Sequence, residues 1–107
     1  MQTIDSIKHF LQTNDASVLY FSAPGCNVCP ALPPTLFDAL ESACPTMTFE
    51  SIDISISQDI AAYFNVFSIP TILIFFQGKE FLRKTRNMSV MEVVDTVKRP
   101  YKIMVGN

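Results

Sequence analysis

Residues 21–29 read FSAPGCNVC, and this stretch carries the pair of cysteines on which the interpretation of the fold depends. Directly before it, residues 18–21 form a short run of β-branched, leucine and aromatic residues, which predicts a strand buried on both faces. Pro24 and Gly25 then break the strand and open a turn. We expect this turn to deliver the cysteines to the start of a helix that ends at about Ala43.

Outward from this stretch, the spacing of apolar residues switches between helical and strand periods. The elements predicted in order are a helix over 6–13 with Asp5 or Ser6 as N-cap, a strand over 18–21, a helix to 43, a strand over 48–54, a short helix capped by Ser57 and reaching Phe64, a strand over 71–76, a hairpin strand with Phe81 and Leu82, and a helix from Ser89 to about Pro100. Residues 1–4 could add a short edge strand. This alternation favours a mixed sheet with helices on both faces.

The bulk properties of the chain exclude several classes of function. Its 107 residues fit one domain over 1–107. A net charge of −2 gives no attraction to nucleic acid or to an anionic membrane, so we expect neither partner. The longest apolar run, 72–76, is far shorter than the roughly 18 residues of a membrane helix. The N-terminus lacks the pattern of a secretory signal, which predicts a cytoplasmic protein.

The spacing of Cys26 and Cys29 predicts thiol–disulfide chemistry. A thiol at a helix N-terminus faces unpaired backbone N–H groups and the positive end of the helix dipole, and both favour the thiolate. Cys26 is therefore predicted to be a nucleophile with a lowered pKa. Cys29, one turn further on, is predicted to resolve the mixed disulfide from within the chain.

The alternatives for this cysteine pair are half of a structural zinc site and a coincidence of spacing. Half of a structural zinc site would need four ligands, whereas the further candidates His9 and Cys44 are distant in sequence and unpaired, so we expect no metal. Cys44 itself is predicted to be a small buried hydrophobic residue, with a regulatory or intermolecular thiol as the alternative.

Residues 21–29, together with SIPT at 68–71, resemble the thioredoxin family over nearly the whole chain. The resemblance implies a three-layer α/β/α sandwich around a central mixed sheet of four or five strands. It also implies a cis peptide bond before Pro70. Gly25, Ile69 and Pro70 would then line the groove that binds substrate protein.

The resemblance also gives roles to residues around the cysteines. Pro24, Asn27 and Val28 would support the active site, and Pro34 matches a proline that kinks the active-site helix. Val28 has a backbone N–H where the family has proline. This additional donor predicts a Cys26 pKa about one unit below the value of about 7 in thioredoxin.

The implied activity is the reduction or exchange of protein disulfides. Disulfide-containing proteins would be the substrates and a thioredoxin-reductase-like protein the electron donor, without a cofactor because the electrons reside on the two sulfurs. Besides Asn27 and Val28, four departures bear on this reading: Gly25 replaces a tryptophan, Tyr20 replaces a buried acid, Ser51 replaces the lysine that partners that acid, and Arg86 stands where many family members have glycine. The open alternative is an interaction or redox-sensing module with weak or no reductase activity.

Overall fold

The structure is a computed structural model that describes residues 2–25, 32–86 and 89–105. The elements are α1 (Ile4–Thr13), β1 (Ala16–Ser22), α2 (Leu32–Ala43), β2 (Thr48–Asp53), α3 (Gln58–Tyr63), β3 (Thr71–Phe76), β4 (Lys79–Thr85) and α4 (Val90–Val105). Their order and type confirm the predicted sequence of helices and strands. None of the helices in these ranges is long and apolar enough to cross a membrane.

The four strands form one mixed sheet in the order β2-β1-β3-β4. β1 and β2 are parallel, whereas β3 is antiparallel to both β1 and β4. The register pairs Ser22 with Asp53, Phe21 with Thr71, and Thr71 with Thr85. These residues therefore mark one end of the sheet, here called the site end, where β1, β2 and β4 finish and β3 begins.

Helices cover both faces of the sheet, as the resemblance implied. Side chains of β1 alternate between the faces, and Ala16 and Val18 pack with α2 and α4, while Leu19 and Phe21 pack with α1 and α3. All four are buried, which confirms the prediction of a strand covered on both sides. Each large apolar side chain buried in this way contributes about 1.5–3 kcal/mol of transfer free energy.

The start of α1 differs from the prediction. Its N-cap is Thr3, whose hydroxyl accepts a hydrogen bond from the Ser6 N–H at 3.0 Å, while the Ser6 hydroxyl accepts one from the Thr3 N–H at 2.8 Å. Asp5 and Ser6 lie inside the first turn, so their assignment as N-caps was wrong. A reciprocal capping box with serine in the usual place of Glu or Gln explains the shift.

The expected edge strand at residues 1–4 was also wrong within the described residues, because Ile4 already belongs to α1. The segment instead touches the sheet through a side chain. Gln2 Nε2 donates to the Ser51 carbonyl at 2.8 Å, which satisfies an acceptor on the free edge of β2.

The start of α3 agrees with the prediction in position only, and the end of α4 differs from it. Ser57 is the N-cap residue of α3 by position, but its side chain makes no capping hydrogen bond. α4 continues through Pro100 to Val105 rather than ending there. Past the proline, Tyr101 is buried and its hydroxyl accepts a hydrogen bond from the Thr46 N–H at 2.9 Å. This tertiary anchor offsets the helical hydrogen bond that the proline removes.

Candidate functional site

The site end carries the turn that leads into the cysteine motif. Pro24 and Gly25 follow β1 and are exposed, and Gly25 is bonded to Cys26. Gly25 has φ 87°, and a Cβ built there would meet no atom of the described residues within 4 Å. Only glycine adopts this left-handed conformation without steric cost. A tryptophan, or any other residue with a side chain, would therefore be strained in this backbone conformation.

The predicted catalytic residues Cys26 and Cys29, with Asn27 and Val28 between them, lie outside the described residues, and their roles stay predictions. Pro34 is the third residue of α2. In the first turn of a helix a proline removes no hydrogen bond made within that turn. The kink expected at Pro34 also stays a prediction.

The Pro70 segment lies at the same end of the sheet. The Ile69–Pro70 peptide bond is cis, which confirms the expectation from the resemblance. Pro70 is buried, and Ile69 is half-buried against the core beneath α1 and α3. Because Thr71, the next residue, pairs with the last residue but one of β1, the segment lies beside the strand that leads into the cysteine motif.

Two hydrogen bonds that the sequence analysis missed hold this segment. Thr71 is 1% exposed, and its hydroxyl donates to the Ser68 carbonyl at 2.7 Å. The Arg86 N–H donates to the Pro70 carbonyl at 2.6 Å. A threonine that follows a proline is a sequence signal for the first bond, because its hydroxyl reaches nearby backbone groups. The second bond depends on the pairing of β3 with β4 and has no local signal.

Tyr20 contributes a neutral group where the resemblance implies a buried acid. It is 2% exposed, and its ring makes an edge-to-face contact with Phe37 of α2 at 5.8 Å between centroids. Burial raises the pKa of the Tyr20 hydroxyl, so the phenol stays protonated at neutral pH. No carboxylate is therefore supplied by this position of β1.

Cys44 lies away from the site end, after the last residue of α2. It is fully buried, and burial raises the pKa of its thiol. These observations confirm the prediction of a small buried hydrophobic residue and disfavour a reactive thiol. Across the described ranges, no group of three or more His, Cys, Asp or Glu side chains could hold a metal ion.

Comparison with known proteins agrees with this geometry. The family model described as Thioredoxin matches residues 2–99. The thioredoxin-like protein YdfQ of Bacillus subtilis is 32% identical over 106 residues, which cover 99% of this chain and 94% of that protein.

Solved structures show the same fold. Thioredoxin 1 of Thermosipho africanus, 30% identical, superposes with a TM-score of 0.73 over 81% of this chain and 96% of its own. Oxidised mitochondrial thioredoxin 3 of Saccharomyces cerevisiae superposes with a TM-score of 0.80 over 92% of each chain. Because the two sequences are only 22% identical, this similarity shows a shared fold and nothing further. The extent of the family match and the shared architecture lead to one conclusion: the chain belongs to the thioredoxin family.

Proposed function

We propose that this chain is a thiol–disulfide oxidoreductase that acts on protein disulfides, with Cys26 as nucleophile and Cys29 as resolving cysteine. The observation that carries the proposal is a juxtaposition at the site end of the sheet. The turn that leads directly into Cys26 follows β1, and the buried Pro70 segment lies beside that strand. Membership of a family whose members are generally oxidoreductases supports it.

The reaction consists of two thiol–disulfide exchanges. The Cys26 thiolate attacks one sulfur of the substrate disulfide, which forms a mixed disulfide and releases the other substrate sulfur as a thiolate. Cys29, as its thiolate, then attacks the Cys26 sulfur. This second step forms the Cys26–Cys29 disulfide and releases the first substrate sulfur. Two electrons pass from the chain to the substrate, and a thioredoxin-reductase-like protein would return them.

Substrate would lie in a shallow groove formed by Gly25, Ile69 and Pro70. Exposed Gly25 leaves space for a substrate backbone, while half-buried Ile69 offers apolar surface. Pro24, Asn27, Val28 and Pro34 would support the cysteines. We further propose that residues 1–107 act as one domain in the cytoplasm, without a metal or organic cofactor.

One observation favours the alternative, an interaction or redox-sensing module. The neutral, buried Tyr20 cannot serve as a carboxylate base at neutral pH, so proton removal from Cys29 would lack the assistance that the family provides. Such a protein would form its disulfide slowly or only under oxidation.

Reduction of insulin by dithiothreitol, followed by turbidity, distinguishes the two functions. The wild-type chain and a Cys44→Ala variant should both accelerate precipitation, because Cys44 is buried and has no part in the reaction. A Cys26→Ser variant should not accelerate it. Equal activity in Cys26→Ser and wild type would overturn the proposal, and no activity in any of the three would favour the interaction module.

A further inference from the structure

Arg86 has a backbone conformation that is unfavourable for its residue type. Its φ is 62°, in the left-handed region that costs a residue with a side chain about 1–2 kcal/mol relative to the right-handed one. Glycine would satisfy the same turn without this cost. A strained backbone position occupied by a residue with a side chain is a reason to look for a function of that side chain.

The Arg86 side chain has no ionic partner in the described part of the chain. The neighbouring basic residues of β4 are paired, Arg83 with Glu80 at 2.9 Å and Lys84 with Glu92 at 2.5 Å. Arg86 is exposed and forms no ion pair with an acidic side chain of the described residues. Its positive charge therefore remains available to a partner molecule.

The 2.6 Å hydrogen bond from the Arg86 N–H to the Pro70 carbonyl holds the Arg86 backbone beside Pro70, so the charged side chain starts from that point. The acid at the site end of β2, Asp53, is three interstrand spacings away, about 14 Å. That exceeds the Debye length of about 8 Å at physiological ionic strength. Asp53 Oδ1 also accepts hydrogen bonds from the N–H and hydroxyl of Ser55. Asp53 therefore neither neutralises Arg86 nor repels an acidic ligand beside it.

Phe67 adds an apolar element to the same segment. It lies three residues before Pro70 and is 82% exposed, the highest value among the large apolar side chains of the described residues. The segment from Phe67 to Pro70 therefore carries an exposed aromatic side chain at one end and holds the backbone of a cation at the other, and aromatic residues and arginine are enriched in surfaces that bind protein. The remaining apolar contact would come from half-buried Ile69.

From these observations we propose that Phe67 and Arg86 select the substrates of this protein. The preferred partner is a protein segment with an Asp or Glu side chain next to the disulfide and an apolar side chain that contacts Phe67. This inference rests on the proposed function and specifies its substrate class. An exposed ion pair predicts a preference of about two- to fivefold for an acidic over a neutral flank.

The test uses three disulfide peptides that differ only in two flanking residues, which are Asp, Ser or Lys. Rates of reduction are measured with wild type, Arg86→Gln and Arg99→Gln. Arg99 is exposed on α4, so its variant matches the change in net charge away from Pro70. We expect wild type and Arg99→Gln to prefer the Asp peptide, and Arg86→Gln to lose that preference. High salt should reduce the preference in wild type.

Phe67→Ser should slow the reduction of all three peptides and leave their ratio unchanged. Equal rates for the Asp and Ser peptides with wild type would overturn the proposal, as would an undiminished preference in Arg86→Gln. If no peptide is reduced at all, the proposed function fails instead. Fluorescence anisotropy with labelled peptides carrying Ser in place of Cys then decides the inference. Binding of the Asp peptide that depends on Arg86 supports it, and binding that does not overturns it.

Discussion

Gly25 and Gly78 both adopt a left-handed backbone at tight turns, with φ 87° and 80°. Their surroundings differ little: among the described residues, a Cβ at Gly25 would meet no atom within 4 Å, and one at Gly78 would lie 3.7 Å from the Leu11 carbonyl oxygen. Space is therefore available at both positions. Backbone conformation, rather than lack of space, favours glycine there.

Gly25→Ala should lower the free energy of unfolding by about 1 kcal/mol, because alanine is strained at this φ although its methyl group has room. Urea denaturation followed by circular dichroism measures the change. Ala23→Ser, at the half-buried position two residues earlier, serves as a comparison for the same turn. A Gly25→Ala protein as stable as wild type would show that the turn relaxes to a right-handed conformation.

Burial of Cys44 makes a prediction about pH. Its folded pKa is raised above the ordinary value of 9.0, so the unfolded chain loses this proton at a lower pH than the folded one. The stability due to the buried neutral thiol is therefore fully present below pH 9.0 and is lost as the pH rises further. The slope should approach about 1.4 kcal/mol per pH unit.

The measurement is the free energy of unfolding between pH 8 and pH 10.5, compared between wild type and Cys44→Ala. Contributions of Cys26 and Cys29 are common to both proteins and cancel in the difference. The variant should show a shallower decline with pH. Parallel curves would mean that Cys44 ionises in the folded protein, and rapid alkylation of Cys44 in the native state would agree with that result.

At the scale of elements, Arg83 joins β4 to the loop between α3 and β3. Its guanidinium donates to the Phe64 carbonyl at 2.7 Å and to the Asn65 carbonyl at 3.1 Å. The remaining donors contact Glu80. One side chain therefore fixes the start of the loop that presents Phe67.

Arg83→Leu should destabilise the chain by about 1 kcal/mol, because two carbonyls lose a charged donor at a partly exposed position. Amide hydrogen exchange should accelerate from Phe64 to Phe67. Glu80→Gln removes the ion pair and leaves the carbonyl bonds, so it should cost less than about 0.5 kcal/mol. If the two variants lose equal stability, the ion pair rather than the loop contacts is the important interaction.

Element type was predictable from the sequence, and several element ends were not. The spacing of apolar residues indicates which segments are helices and which are strands. The continuous apolar run of β1 indicates a strand, because a strand that is buried on both faces needs apolar residues at successive positions. The end of α4 depends instead on Tyr101 and Thr46, which are 55 residues apart. The local sequence pattern cannot reveal that contact, and Pro100 wrongly predicts the end of the helix. The cis bond at Pro70 was predictable from the resemblance, whereas the Arg86 contact to Pro70 required the β3–β4 register.

For the whole molecule, stability depends on two apolar clusters separated by the sheet. The cluster beneath α2 and α4 includes fully buried Leu40. Leu40→Ala should cost about 2–5 kcal/mol through lost burial and the cavity that remains. Ile56→Ala, at a side chain that is 77% exposed, should change stability by less than about 0.5 kcal/mol. Thermal unfolding of both variants measures the contrast, and a small effect at Leu40 would mean that α2 packs more loosely than described.

The central claim is that Cys26 and Cys29 form a reversible disulfide, and equilibration against a series of glutathione redox buffers tests it most directly. Alkylation followed by mass spectrometry counts the free thiols at each potential. The account predicts one two-electron transition involving Cys26 and Cys29, with Cys44 reduced throughout. Its midpoint is predicted to lie above the value of about −270 mV for thioredoxin, because a Val28 N–H that donates to the Cys26 thiolate would stabilise the reduced form. If both cysteines remained free thiols at every potential, the assignment of the chain as a thiol–disulfide oxidoreductase would be wrong.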